Sequence, residues 1–163
     1  MEITDMRQEL AQLGGGAHAL AIQILGNPDD AADAVHDAFA KVLSRPESYD
    51  RSRGPLKPWF LRVVRNQCID LQRRRRVIEP VDRLVSPGKA PEQALEIRQR
   101  DESLRRALAK MPSDQRQMLI LRDYLDLSYA EIADVLDIAA GTVMSRLHRS
   151  RMALKERLER NDE

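Results

Sequence analysis

The stretch "LSYAEIADVLDIAAGTVMSRLHRSRMALKERL", residues 127–158, carries the clearest structural pattern in the chain. Ser128 and Glu131 have the spacing of a capping box, in which the serine accepts from the amide three residues on and the glutamate reaches back. A helix is therefore predicted to begin at this point. The apolar residues that share its inner face are Ile132, Ala133 and Leu136.

A tight turn and a second helix are predicted to follow, with the turn at Asp137 and Ile138. Apolar residues then continue an inner face at Val143, Leu147, Leu154 and Leu158. A helix-turn-helix needs a small residue where its helices cross, a turn residue that tolerates positive φ, and an apolar anchor on the second helix. Ala133, Asp137 and Val143 meet these needs, so the pattern predicts a helix-turn-helix.

The second helix directs a polar set of side chains outward near its amino end, where a major-groove helix contacts base edges and phosphates. This set comprises Thr142, Met144, Ser145, Arg146, His148 and Arg149. The pattern favours a DNA-binding helix. The alternative is a solvated face of a helical bundle with no partner.

Composition agrees with a helical protein. The chain has 163 residues, 42% of them hydrophobic and only 4% aromatic, and long stretches are rich in Ala, Leu, Arg and Glu. We predict an all-α chain of two small helical domains joined by a flexible linker. The single cysteine, Cys68, is interpreted as a core residue, and the lack of a long apolar run or signal-peptide pattern favours a cytoplasmic protein.

The net charge is only +1, but the charges are segregated along the chain. Residues 29–43 form an amphipathic helix whose apolar positions are Ala31, Val35, Ala38, Phe39 and Val42. Another face of this helix carries Asp30, Asp33 and Asp37. A basic helix follows the loop at residues 49–58, with Phe60, Val64, Cys68 and Leu71 inward and Arg62, Arg65, Asn66 and Arg73 outside.

Periodicity is lost from Val77 to about Pro91, where prolines and a glycine indicate a linker. A helix with Leu104, Leu108 and Met111 on one face is then predicted to end at Pro112. The segment "QMLILRDYL", residues 117–125, is apolar on nearly every side and predicts a buried central helix.

Taken in order, these segments resemble the sigma-70 family of bacterial RNA polymerase sigma factors, in its small extracytoplasmic-function (ECF) group. "NPDDAADAVHDAFAKVL" and "WFLRVVRNQCIDLQRRRR" are similar to the family's region 2. "MPSDQRQMLILRDYLDLSYAEIADVL" and "GTVMSRLHRSRMAL" resemble its region 4. The resemblance implies region 2 at residues 1–76, a linker at 77–93 and region 4 at 94–163.

The resemblance also implies roles for the residues. Region 2 is expected to dock its acidic helix on the polymerase clamp through Asp30, Asp33 and Asp37. Contacts to the -10 element and to the strand that unpairs there are expected from Arg51, Arg53, Lys57, Arg62, Arg65, Asn66 and Arg73. Region 4 is expected to contact the -35 element through Thr142, Ser145, Arg146, His148 and Arg149.

Three features depart from the family pattern. Ala139 stands where the family usually has a serine-like cap, and Met144 stands where it usually has a lysine or arginine. "LGGGAHALA", residues 13–21, replaces a longer and more aromatic first helix. Promoter preference is therefore expected to differ from that of other members.

The implied protein is an initiation factor that binds core RNA polymerase and promoter DNA and is controlled by an anti-sigma factor. It is expected to be neither an enzyme nor a membrane-inserted protein, and to use no cofactor and no metal. Asp33, His36 and Asp37 have a spacing that could ligate a metal, but no further ligand completes a site. Two rival hypotheses are a stand-alone helix-turn-helix regulator and a sigma-like decoy that sequesters an anti-sigma protein.

Overall fold

A computed structural model describes the backbone at residues 2–78 and 95–161, with side chains at 2–76 and 102–160. These ranges contain helices and no strand. The α-helices are α1 (Ile3–Leu25), α2 (Pro28–Ser44), α3 (Leu56–Ile78), α4 (Leu95–Ala109), α5 (Ser113–Leu119), α6 (Tyr129–Leu136) and α7 (Val143–Asn161). The all-α prediction is confirmed. The predicted linker lies largely outside the described residues.

The first domain consists of α1, α2 and α3, which pack against one another. The α2 helix begins where the sequence indicates, because the Asn27 side chain accepts hydrogen bonds from the amides of Asp29 and Asp30. Its predicted apolar face is buried, apart from the partly buried Phe39, which stacks on Phe60 of α3 with ring centroids 5.0 Å apart.

The first helix is continuous through three consecutive glycines, Gly14 to Gly16, although glycine is unfavourable in helix interiors. Packing explains one of them. A Cβ atom placed on Gly16 would lie 2.6 Å from Cδ2 of Leu125, so a larger residue here would have to displace the end of the Leu125 side chain. Gly16 thus permits a close contact with the second domain.

The second domain comprises α4 to α7. The chain continues from α5 into a π-helix at Ile120–Tyr124, and Met118, Leu119 and Leu121 are buried as predicted for a central helix. Two expectations here are wrong. Leu104 is 39% exposed on α4, and Tyr124 is 66% exposed at the end of the π-helix.

The two domains share one continuous apolar core. Contacts join α1 to α5 and α3 to α6, and buried residues of both domains form a single cluster. Sequence periodicity defines the inward face of each helix but cannot indicate which helices meet across a linker. The close association of the domains is therefore a finding of the structure.

Candidate nucleic-acid interface

The helix-turn-helix has the predicted local geometry. The Ser128 hydroxyl accepts from the Glu131 amide at 3.2 Å, and the Glu131 carboxylate accepts from the Ser128 amide at 2.9 Å. Asp137 ends α6 with φ of 55°, the left-handed conformation expected of the turn residue. Val143 is fully buried and anchors the second helix. The capping box and the turn are thus both confirmed.

The start of α7 is built without a side-chain cap at Ala139. A short 3₁₀ turn at Ala140–Thr142 precedes the helix instead, and the Thr142 hydroxyl donates to the Ala139 carbonyl at 2.8 Å. Ser145 is tied in the same way, because its hydroxyl donates to the Thr142 carbonyl at 3.1 Å. The amides of Thr142 and Val143 donate to the carbonyls of Ala139 and Ala140, so the turn itself satisfies them in place of a side-chain cap.

The α7 helix presents a polar face opposite its buried side. Val143, Leu147 and Ser150 are buried, which fixes the rotation of the helix. Four of the five predicted contact residues are exposed, namely Ser145, Arg146, His148 and Arg149. The fifth, Thr142, is half-buried. Within the described side chains, neither arginine forms an ion pair, so both guanidinium groups are available to phosphates or base edges.

The loop before α3 is an ordered structure. Asp50 accepts from the Ser52 amide at 3.0 Å and starts a short 3₁₀ helix at Arg51–Arg53. The Tyr49 hydroxyl donates to the Gly54 carbonyl at 2.8 Å, and its ring lies against Trp59 with centroids 5.1 Å apart. Trp59 is partly buried and packs against the Tyr49 ring of this loop.

A cavity of about 390 Å³ opens beside this loop. Its walls come from the loop, from the start of α3 and from Glu9 of α1. Arg51 lines this cavity, whereas Arg53 is exposed and lies near Asp50, at 3.7 Å. The loop therefore offers one cation at the cavity and one at the surface.

The predicted basic residues of α3 separate into two groups. Arg62, Asn66 and Arg73 are exposed, as expected of residues that contact DNA. Arg65 is half-buried between the domains and donates to the Gln117 side chain at 2.8 Å. Burial lowers the pKa of Arg65, and the neighbouring Arg62 lowers it further, while Asp137 opposes the shift. The expectation that Arg65 lies freely outside is therefore wrong in this arrangement.

Lys57 is also engaged across the domain boundary. Its ammonium group donates to the Leu125 carbonyl at 2.5 Å, and the side chain is half-buried at the domain boundary. A second cavity, of about 340 Å³, lies between the domains and is lined by Arg65, Arg146 and Arg149 together with Asp114. We call this arrangement of the packed domains closed. In it, Arg65 lies beside Arg146 and Arg149, although they are expected to contact different promoter elements.

Two residues that sequence reasoning did not identify hold the domains together. The Arg116 guanidinium donates to the Gln23 carbonyl at 2.9 Å, and burial lowers the pKa of Arg116. Gln117 is buried, receives the Arg65 hydrogen bond and donates to the Ser113 hydroxyl at 3.0 Å. The sequence offered no signal for them, because Arg116 and Gln117 end an ordinary polar run that begins at Ser113.

The acidic face of α2 is only partly free. Asp33 and Asp37 are exposed, as predicted. Asp30 differs, because it accepts from both terminal nitrogens of Arg75 in a partly buried, bidentate ion pair. No cluster of potential metal ligands occurs among the described residues.

Cys68 lies in the core of the first domain. Its side chain is fully buried, and burial raises the pKa of the thiol to about 12. The core interpretation is confirmed. Among the described helices, none is long and apolar enough to cross a membrane.

Two family descriptions match the chain in sequence order. The description "Sigma-70 region 2" matches residues 10–77, and "Sigma-70, region 4" matches residues 101–154. The first match runs from within α1 to the last turn of α3, and the second covers most of α4 through to the middle of α7.

Characterised relatives resemble the chain over most of its length. It is 31% identical to the ECF RNA polymerase sigma factor EcfG of Rhodopseudomonas palustris, over 94% of this chain and 86% of that protein. It is 30% identical to the RNA polymerase sigma factor SigV of Bacillus subtilis, over 98% and 90%. It is 33% identical to the ECF RNA polymerase sigma factor SigE of Mycolicibacterium smegmatis, over 86% of this chain but only 56% of that longer protein.

Solved structures share the arrangement of helices. The sigma factor RpoE of Bartonella quintana, solved in complex with the anti-sigma factor NepR, superimposes with a TM-score of 0.78 at 28% identity, over 95% of this chain and 97% of that one. CnrH, solved with the cytosolic domain of CnrY, superimposes with a TM-score of 0.66 at 24% identity, over 93% and 86%, and shows the shared fold.

Proposed function

The chain belongs to the sigma-70 family of RNA polymerase sigma factors, in its ECF group, and from this membership we propose its mode of action. The protein binds core RNA polymerase in the cytoplasm and directs it to promoters. It recognises a -10 and a -35 element and assists melting of the DNA. It performs no catalytic step, since nucleotide addition belongs to the polymerase.

The observation that carries this proposal is the exposed polar face of α7 on an intact helix-turn-helix. Buried Val143 and Leu147 hold the helix so that Ser145, Arg146 and Arg149 project from its first two turns. Base edges are read from that part of a recognition helix, and guanidinium groups suit both guanine and phosphate. We assign the -35 element to this face, with Thr142 and His148 at its margins.

The -10 element is assigned to the loop and basic helix of the first domain. The 390 Å³ cavity beside Arg51 is open to the surface, and Arg51 at its wall can pair with the phosphates of an unpaired strand. Arg62, Asn66 and Arg73 then lie along α3, where they can follow the DNA backbone. We accordingly place region 2 at residues 1–76, a linker at 77–93 and region 4 at 94–163.

Polymerase binding is assigned to the acidic face of α2. The carboxylates of Asp33 and Asp37 are exposed one turn apart and can pair with cations on the polymerase. Asp30 belongs to the same face but is bonded to Arg75. Its contribution is to fix the position of α2 relative to α3, unless the polymerase displaces Arg75.

DNA binding requires the domains to separate. Lys57 and Arg65 donate hydrogen bonds to residues of the second domain. Arg146 and Arg149 line a cavity that Arg65 also lines. The closed arrangement therefore engages Lys57 and Arg65 of the first domain, while Arg146 and Arg149 stay exposed beside them. The relative from Bartonella quintana was solved with an anti-sigma factor, and we propose that a partner of this class controls the present protein.

A division of labour between the two surfaces tests the proposal. Arg146→Ala is expected to reduce transcription from promoters that depend on a -35 element by about tenfold, the effect of losing one good base contact, while polymerase binding is retained. Asp33→Ala combined with Asp37→Ala is expected to weaken polymerase binding. The measurements are run-off transcription and co-purification with bacterial core polymerase.

Matched controls are available on exposed parts of the second domain. Arg105→Ala removes an exposed arginine from α4, and Asp134→Ala removes an exposed carboxylate from α6. Both are expected to leave transcription unchanged. Equal loss of polymerase binding and promoter use in all variants would indicate unfolding, and retained transcription in the Arg146 variant would contradict the assignment.

A further inference from the structure

The recognition face of α7 includes one exposed apolar side chain. Met144 is the second residue of α7 and is 65% exposed. Methionine is otherwise a favoured core residue, and three other methionines of this chain, Met6, Met111 and Met118, are buried. Met152 is also exposed, at 50%, so what distinguishes Met144 is its place in the first turn of the recognition helix.

The position of Met144 is fixed by its neighbours. Val143, on one side in sequence, is fully buried, and Leu147, three residues on, is 1% exposed, so α7 cannot rotate Met144 inward without exposing its anchors. His148 lies four residues on and shares its face. Met144 therefore sits in the first turn, beside the polar residues assigned above to the -35 element.

We propose that Met144 contacts the C5-methyl group of a thymine in the -35 element and thereby helps to determine promoter choice. This inference rests on the proposed function. In the major groove, thymine presents a methyl group that cytosine lacks, and apolar side chains recognise it by contact. A methionine has no strong hydrogen-bonding group, but its flexible, polarisable thioether packs well against a methyl group.

Met144 is expected to recognise DNA differently from the charged residues around it. Arg146 and Arg149 can bind phosphates or guanine at many sequences, and Ser145 is occupied in part by its bond to Thr142. A methyl contact acts at one base pair only. Met152 is an internal comparison, because it lies on the same helix two turns further on and is 50% exposed.

The experiment replaces thymine by deoxyuridine, which removes only the methyl group. Full-length protein and bacterial core polymerase first select a -35 element from a randomised promoter pool. Each thymine of that element is then replaced in turn, and the affinity of the holoenzyme is measured for wild type, Met144→Ala, Met144→Gln and Met152→Ala. A thymine between the two elements is replaced as the DNA control.

One deoxyuridine position is expected to weaken wild-type binding about fourfold, the transfer value of one methyl group. The same replacement should change binding by Met144→Ala or Met144→Gln less than about 1.5-fold, while Met152→Ala behaves as wild type. An equal penalty in wild type and in both Met144 variants would overturn the inference, as would an element in which no thymine methyl matters. Failure to select any -35 element would instead refute the proposed function.

Discussion

The close packing of α1 against Leu125 makes a sharp prediction about two adjacent glycines. Gly15 and Gly16 both lie inside α1, and both would gain helix propensity on substitution by alanine. A Cβ atom on Gly15 meets nothing within 4 Å. A Cβ atom on Gly16 would lie 2.6 Å from Cδ2 of Leu125. The pair therefore compares the same chemical change with and without the interdomain contact.

The magnitudes follow from this geometry. Gly15→Ala should stabilise the protein by about 0.5–1 kcal/mol, the gain of alanine over glycine within a helix. Gly16→Ala has the same gain, but overpacking typically costs about 1–3 kcal/mol. Leu125 is 7% exposed and has little room to move. The free energy of unfolding of the Gly16 variant should thus fall below that of the Gly15 variant by about 1–3 kcal/mol.

The assay is urea denaturation of the full-length chain, followed by circular dichroism. A third protein, Gly16→Ala with Leu125→Ala, completes the comparison against Leu125→Ala alone. With the leucine removed, Gly16→Ala should stabilise as Gly15→Ala does, because the clash has gone. Equal stabilisation by the two single glycine substitutions would refute the reasoning and show that the Leu125 side chain moves aside at no cost.

Two further predictions concern single side chains. Ser128→Ala should lower the free energy of unfolding by about 1 kcal/mol, because it removes half of the capping box of α6, and thermal denaturation measures the loss. Cys68 should resist alkylation by iodoacetamide at pH 8 in the folded protein and react rapidly in urea, since its pKa of about 12 leaves almost no thiolate. Fast labelling of the native protein would contradict the second prediction, and an unchanged melting temperature would contradict the first.

Local features of the fold could be read from the sequence because each is decided within a few residues. The Ser128 and Glu131 capping box, the left-handed Asp137 and the buried Val143 depend only on short-range spacing. The apolar face of α2 is likewise a matter of helical periodicity. These features sufficed to predict two helical units and a helix-turn-helix.

Features that depend on contacts between distant residues could not be predicted in this way. Lys57 and Leu125 are 68 positions apart, and Arg65 and Gln117 are 52 apart, so no local pattern announces either hydrogen bond. The same reason applies to Gly16. The side chain that its missing Cβ atom accommodates, Leu125, belongs to the other domain.

The same distinction between local patterns and distant contacts applies to the candidate site. Exposure of Arg146 and Arg149 follows from the amphipathic pattern of α7 and agrees with the structure. Whether Arg65 is available to DNA depends on the arrangement of the domains, which helical periodicity does not encode. Asp30 also differs from Asp33 and Asp37 only because Arg75 of another helix reaches it.

We propose that this one chain directs polymerase to promoters through two DNA elements. The most direct measurement is transcription by bacterial core polymerase from a pool of genomic promoter fragments, with start sites mapped in the presence and absence of the protein. The account predicts protein-dependent start sites preceded by two common elements at a fixed spacing, because each weak module binds productively only when the polymerase sets the distance. Duplex binding without polymerase, together with no new start sites, would support a stand-alone regulator. Tight binding to an anti-sigma factor without any transcription would support a decoy. Either result would contradict the proposed function.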